Sequence, residues 1–314
     1  MRVLFMYNRI HRFALKMTKT KIEETLQKNI ELLAEISPRE RKMAARGKGQ
    51  FPSLPVLRDI IQMIKVIVFP DFYKRHRNDA NMRLHYTGVC VDKLYHSLAA
   101  EIKCAMLFHR DCIESDVCDK SDELAMAFIS ELPEIKRLLY TDVQAIYNND
   151  PAVDNYGEVI LCYPTVEAMT HYRVAHALLR LGIPVIPRIL TELAHSATGI
   201  DIHPGAEIDE YFAIDHGTGV VIGETCIIGK HVTLYQGVTL GAKSFTFDDE
   251  GHPINLPRHP ILEDNVTVYS NSSILGRITV GKGSIIGGNV WLTNSVPAGS
   301  RIVQQQAVAT EYKA

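Results

Sequence analysis

A chain of 314 residues with 46% hydrophobic and 22% charged content is long enough for roughly two domains and a sizeable buried core. Its formal net charge of -2 supplies no basic field for nucleic acid or an anionic membrane, so neither is expected as a partner and specificity must come from local sites. Six cysteines without a C-x-x-C pair match neither a secreted disulfide framework nor zinc-ligand spacing, which points to reduced thiols and a cytoplasmic setting.

Residues 1–17, MRVLFMYNRIHRFALKM, are basic with an apolar patch too short for a signal-peptide core, and no small-residue cleavage site follows. They read as an extended or misassigned start. No apolar run approaches the roughly 18 residues needed to span a bilayer. From 18 to 198 the apolar residues recur at helical spacing, as in Ile22, Leu26, Ile30 and Leu33, or Leu124, Phe128 and Leu132, which predicts a helical domain. Within it, Arg46–Pro55 reads as a loop, Ser121-Asp-Glu as a helix start, and Asp150-Pro151 as a turn before a new element. The individual histidines and aromatics there read as packing residues.

After Gly199 the period changes. Steps of six give Leu262, Val268, Ile274, Val280, Ile286 and Leu292, and four places after each stand Val266, Ser272, Ile278, Ser284, Val290 and Val296. If aliphatics make up about a quarter of a chain, six such hits arise by chance about once in 4,000 starts. The same step links Ile222, Ile228, Leu234 and Leu240, and Ile202, Ile208 and Ile214, with one change of phase near Val220. Hexapeptides are the sign of a parallel β-helix in which three strands make a coil of about 18 residues. The predicted fold is therefore α+β: a helical domain over 18–198, then a left-handed parallel β-helix over 199–300, with a loop at 242–258 that cannot hold the register and a tail at 301–314. Flat prism faces with small outward residues favour a homotrimer, with sites in the grooves between copies.

On spacing alone, His216 reads as a turn residue bonded to backbone, Asp150 as a cap ahead of Pro151, and Arg258 as an exposed loop charge. Their company changes that reading. The helical first half, then Asp150-Pro-Ala-Val-Asp154, Asp201-Ile-His-Pro204, Asp215-His216 with Gly219, Gly223-Glu-Thr225, Thr239-Leu-Gly241 and Arg258-His-Pro260 together resemble the serine acetyltransferases, a family of hexapeptide-repeat acyltransferases. The resemblance runs from about Asp150 to Pro297.

It implies transfer of an acetyl group from acetyl-CoA to the hydroxyl of L-serine, giving O-acetyl-L-serine and CoA, the first step of cysteine biosynthesis. A serine hydroxyl is a weak nucleophile at neutral pH, and histidine is the side chain matched to removing its proton as it attacks. The family pattern makes His216 that base and Asp201 its carboxylate partner, set on a neighbouring rung to fix the ring's tautomer. It places Asp150 and Asp215 at the serine ammonium, and Arg258 and His259 at its carboxylate. Backbone contacts to acetyl-CoA, a co-substrate rather than a resident cofactor, fall on Ala242, Ser270 and Gly288, and no metal is called for. His203 reads as structural, His231 as a solvated corner residue, and His252 as a loop residue without a role. The family adds two further expectations, a dimer of trimers through the helical half and feedback inhibition by cysteine.

Three departures stand out. The loop at 242–258 is longer than the family's short glycine-rich loop, and Tyr269 and Asn271 stand where glycines are usual. The chain ends in Ala314 rather than the isoleucine that docks into O-acetylserine sulfhydrylase, so poor docking to that enzyme is expected. Two rival readings are a zinc enzyme of the γ-carbonic anhydrase kind using His203, His216 and His231, and a non-catalytic trimeric scaffold.

Overall fold

The computed structural model describes residues 19–43, 51–73, 80–109 and 114–304, so the readings made for residues 1–17 and for Ala314 lie outside it. The described residues fall into two compact units, divided after Arg46. In the first, α1 (Lys19–Ala34) is followed by α2 (Pro38–Met43), whose start is a reciprocal capping box. Ser37 N donates to Glu40 Oε2 (2.6 Å) and Glu40 N to Ser37 Oγ (3.1 Å). The helix expected from Ile22, Leu26, Ile30 and Leu33 forms, and all four side chains are exposed on it.

Among the described residues, the second unit opens with seven helices: α3 (Leu54–Val68), α4 (Pro70–Tyr73), α5 (Ala80–His109), α6 (Glu114–Asn149), α7 (Tyr156–Cys162), α8 (Pro164–Arg180) and α9 (Ile186–Thr198). On α3, Leu57, Ile60, Ile61, Ile64 and Val68 make one fully buried stripe, the 3.6-residue period in physical form. Two local expectations need correction. Ser121 does not start a helix; it lies inside α6, its hydroxyl donating to Cys118 O (2.8 Å), a bond that lets serine sit within a helix. Leu54 and Pro55 likewise belong to the first turn of α3, where proline is tolerated because its missing N–H has no partner to lose. The turn at Asp150-Pro151 does form, between α6 and α7. No helix of the described residues is long and apolar enough to cross a membrane.

Gly199, in the left-handed conformation at φ 72, closes α9 as glycine commonly does. Fourteen short strands, β1 to β14, then wind as a three-sided parallel β-helix of five coils. One side stacks β1 (Asp201–Ile202), β4 (Val221–Ile222), β7 (Thr239–Gly241), β10 (Ser273–Leu275) and β13 (Trp291–Leu292). The second stacks β2 (Glu207–Ile208), β5 (Ile227–Ile228), β8 (Ile261–Leu262) and β11 (Thr279–Val280), and in the last coil adds a single bridge, Val280 to Val296. The third stacks β3 (Ala213–Asp215), β6 (Thr233–Tyr235), β9 (Thr267–Val268), β12 (Ile285–Ile286) and β14 (Arg301–Ile302). The six-step aliphatics point inward and are buried, and the small residues four places on fill the corners. Ser272 and Ser284 there are fully buried, their hydroxyls donating to Gly287 O (2.7 Å) and Pro297 O (3.1 Å).

Helices and prism share one core. A buried Arg173 on α8 grips Asp142 of α6 with two bonds (2.6 and 2.8 Å) and donates to Ile208 O (3.2 Å) and Asp209 O (3.0 Å). Asp142 also accepts from Phe212 N (3.2 Å). With every polar group satisfied, this pair fixes the helices on the first coil, and removing one partner would strand a buried charge at a cost of about 3–5 kcal/mol.

Candidate active site

The change of phase near Val220 has a structural cause. Asp201 pairs with Val221, 20 residues on, whereas Val221 pairs with Thr239 after 18. The two extra residues lie in the turn from Asp215 to Gly219, where the third side gives way to the first. His216 sits at its apex with φ 55, flanked by Gly217 (φ 85) and Gly219 (φ 79). A β-carbon on Gly217 would lie 2.5 Å from Ile200 Cδ1, so the turn closes only with glycine there. The His216 side chain projects outward, 73% exposed, its Nε2 3.9 Å from Asp215 Oδ1.

Helix ends bring further groups to this corner. Thr165, in the first turn of α8, donates to Ile214 O (2.6 Å), and Asn149, the last residue of α6, donates to Thr233 Oγ1 (2.9 Å). Asp150 follows directly. It caps no helix; Asn155 caps α7 instead, while Asp150 accepts from Ala152 N (2.8 Å) and from Tyr163 Oη (2.5 Å). Those two bonds hold its carboxyl below the usual range, and the nearby His216 ring adds a smaller lowering. The same Asp150 bond, then burial, pushes the Tyr163 phenol upward. Above Asp215 on the third side, Tyr235 stacks on Tyr269 (4.9 Å between centroids). Burial raises the Tyr235 phenol, with smaller contributions from Tyr269, Asp215 and Asp150. The corner is thus a histidine beside two carboxylates, walled by three tyrosines.

A second cluster occupies a different corner, where the first side turns into the second. Arg258 Nη2 pairs with Glu224 Oε2 (2.6 Å), its Nη1 donates to Asn255 Oδ1 (2.6 Å), and its guanidinium lies 6.0 Å from the Phe245 ring centroid. Burial works to raise Glu224, but the hydrogen bonds from Arg258 and Asn255 outweigh it and hold the carboxyl below its ordinary value. Thr225 Oγ1 accepts from Arg258 N (2.9 Å) and His259 N (3.1 Å), and His259 Nδ1 accepts from Thr225 N (3.1 Å). The ring proton of His259 is therefore on Nε2. Burial, then the Arg258 charge, pushes the His259 imidazole down to about 4, which keeps it neutral. Gly223 makes room for that ring, since a β-carbon would lie 2.0 Å from His259 Cδ2. The Gly-Glu-Thr and Arg-His-Pro segments, far apart in sequence, therefore interlock and fasten the exit of the 242–258 loop.

The contact expected between Asp201 and His216 is not made. Asp201 faces Arg188 of α9 (Nη1 to Oδ1 3.8 Å), and Arg188 also pairs with Glu192. Among the described residues, Glu192, His195 and Asp201 bring donor atoms within 4.8 Å of one another, but the Arg188 guanidinium already sits on that group. His203, His216 and His231 occupy three different corners of the prism, and His231 stacks on Tyr211 (4.4 Å between centroids). Ala242 lies at the corner of Arg258, whereas Ser270 and Gly288 lie at the corner of His216 and touch, a β-carbon on Gly288 falling 3.3 Å from Ser270 O. No motif flags Tyr163, Tyr235 or Asn255, and of these only Tyr235 had a signal, its place one coil above Asp215; Glu224 stands inside the Gly223-Glu-Thr225 motif, which did not foretell its pairing with Arg258.

No family model matches the chain. A plasmid serine acetyltransferase of Synechococcus elongatus is 45% identical over 273 residues, covering 83% of this chain and 84% of that one. Among solved structures, serine acetyltransferase 1 of Entamoeba histolytica in complex with L-cysteine is 37% identical with a TM-score of 0.68, covering 78% of this chain and 86% of that chain. Serine acetyltransferase from Brucella abortus in complex with coenzyme A is 26% identical with a TM-score of 0.51, covering 77% and 91% respectively.

Proposed function

The chain belongs to the serine acetyltransferase family, and from that premise we propose how its own residues move the acetyl group of acetyl-CoA to the hydroxyl of L-serine. The observation that carries the proposal is the convergence of Asp150, Asp215 and His216 on one corner. The two carboxylates hold the ammonium of serine and so present its hydroxyl to His216. His216 takes the hydroxyl proton as the oxygen attacks the thioester carbonyl; the C–S bond then breaks, the imidazolium returns the proton to the CoA sulfur, and O-acetyl-L-serine leaves. Asp215, the carboxylate nearest the ring, stabilises the imidazolium. Asp201 takes that role only if Arg188 releases it.

The carboxylate of serine requires Arg258, with neutral His259 behind it. One side of a coil, six residues at about 3.3 Å each, is roughly 20 Å long, too far for one serine to span from the His216 corner to the Arg258 corner. We therefore propose a trimer in which the His216 corner of one copy meets the Arg258 corner of the next. Ser270 and Gly288 stand at the first corner and Ala242 at the second, so acetyl-CoA would lie along the same seam against backbone groups. Pairing of such trimers through the helical half is the larger assembly we propose. The thiols of Cys118, Cys162 and Cys226, which are in no disulfide, suit the reducing cytoplasm, where we place the reaction. Cysteine carries the same ammonium and carboxylate as serine and would compete for the same groups.

The test is release of CoA thiol from acetyl-CoA with L-serine, with homoserine, and with no acceptor, using the parent and His216→Ala. Serine-dependent release that disappears in the variant supports the assignment. Absence of release with every acceptor would overturn it.

A further inference from the structure

The two carboxylates at the His216 corner come from distant parts of the chain, and the start of α8 touches both parts. Asp150 follows the last residue of α6, whereas Asp215 ends β3. Tyr163 stands just ahead of α8 with extended backbone, φ -81 and ψ 124, which Pro164 enforces by disfavouring a helical residue before it. From there its Oη donates to Asp150 Oδ2 (2.5 Å). Two residues on, the fully buried Thr165 donates to Ile214 O (2.6 Å), on the residue before Asp215. The same turn is anchored from behind, because Glu167 pairs with the buried Lys65 of α3. The start of α8 therefore ties the Asp150 turn to the strand that leads into Asp215 and His216.

Each oxygen of Asp150 has one protein partner, Oδ1 accepting from Ala152 N (2.8 Å) and Oδ2 from the phenol. A carboxylate oxygen can accept two hydrogen bonds, so both keep a lone pair for a ligand. An ammonium group is the ligand that two neighbouring carboxylates select. The Asp150 bond, then burial, raises the Tyr163 phenol, and the charges of Asp150, Glu158 and Asp215 add to the rise. The phenol therefore stays protonated, a constant donor to Asp150 that also feels the Asp215 charge. We infer that Tyr163 is a positioning residue of the acceptor site, holding Asp150 at the spacing from Asp215 that grips the serine ammonium, with Thr165 securing the other side of that gap. It touches no reacting atom. The inference rests on the proposed function.

The experiment is steady-state kinetics on the full-length parent, Tyr163→Phe, Thr165→Val, Asp150→Asn and the double variant that combines Tyr163→Phe with Asp150→Asn, with serine and acetyl-CoA varied in turn. Loss of a hydrogen bond to a charged group raises KM for serine about tenfold in Tyr163→Phe, and leaves kcat within about threefold and KM for acetyl-CoA within about twofold. Thr165→Val raises KM for serine in the same selective way. In the Asp150→Asn background, Tyr163→Phe lowers kcat/KM for serine by no more than about twofold, because the phenol acts through that carboxylate. A parental KM for serine in either folded single variant overturns the inference, as does an equal rise in both KM values, which a loosened fold would give. A further loss of about tenfold in the double variant also overturns it, since the phenol would then act without Asp150. If the parent turns over no serine, the proposed function falls and the inference with it.

Discussion

His216 occupies a backbone region in which a β-carbon costs about 1–2 kcal/mol, and its φ of 55 marks stored strain at the corner proposed to react. Replacing it with glycine relieves the strain and removes the base. His216→Gly is expected to melt at or above the parent's temperature while serine-dependent CoA release falls by about 10²–10⁴-fold; a variant that melts several degrees lower would show that the ring, not the turn, holds the corner. His259 makes a different statement. Its imidazole is held near 4 against an ordinary 6.5, so on acidification the unfolded chain takes up the proton first. Its contribution to stability is whole above about pH 6.5 and is lost as the pH falls through about 4. Melting temperatures taken across that window should fall more steeply for the parent than for His259→Gln, and parallel curves would refute the assignment. The sequence names both histidines through their neighbours. It does not foretell that Tyr163 holds Asp150 or that Arg188 draws Asp201 away, because those bonds depend on how α8 and α9 dock onto the first coil.

Between single residues and the whole chain, the 242–258 loop acts as a brace. Asn255 and Phe245 contact the same guanidinium that Glu224 pairs with, so the loop sets the direction of Arg258. Asn255→Ala should raise KM for serine about three- to tenfold and leave KM for acetyl-CoA within about twofold, as steady-state kinetics with each substrate varied in turn would show. Equal rises in both would indicate a loop that merely covers the site. The six-residue step is legible because each side of every coil buries one aliphatic, and it also exposes the two extra residues near Val220. What it does not reveal is that those two residues build the turn that carries His216. Ser121 shows the opposite failure: serine before an apolar run suggests a helix start, yet a bond to Cys118 O lets α6 continue through it.

At the scale of the assembly, a site shared between copies predicts complementation. His216→Ala and Arg258→Ala should each be inactive alone. Trimers formed by co-expressing the two in equal amounts should regain up to about a quarter of parental activity, the share of seams at which an intact His216 corner meets an intact Arg258 corner. Activity that stays absent in the mixture would place both groups in one chain's own site. The prism itself is asymmetric along its axis. Its first coil is clamped by Arg173, Tyr172 and Thr165, whereas the second side of the last coil is reduced to the bridge from Val280 to Val296. In a stack where each rung rests only on its neighbours, thermal opening starts at the weakly tied end and advances toward the helices. Amide hydrogens around Trp291 and Ile302 should therefore exchange with solvent well before those of Ile202 and Ile214, so that the far end of the prism loosens while the His216 corner keeps its shape.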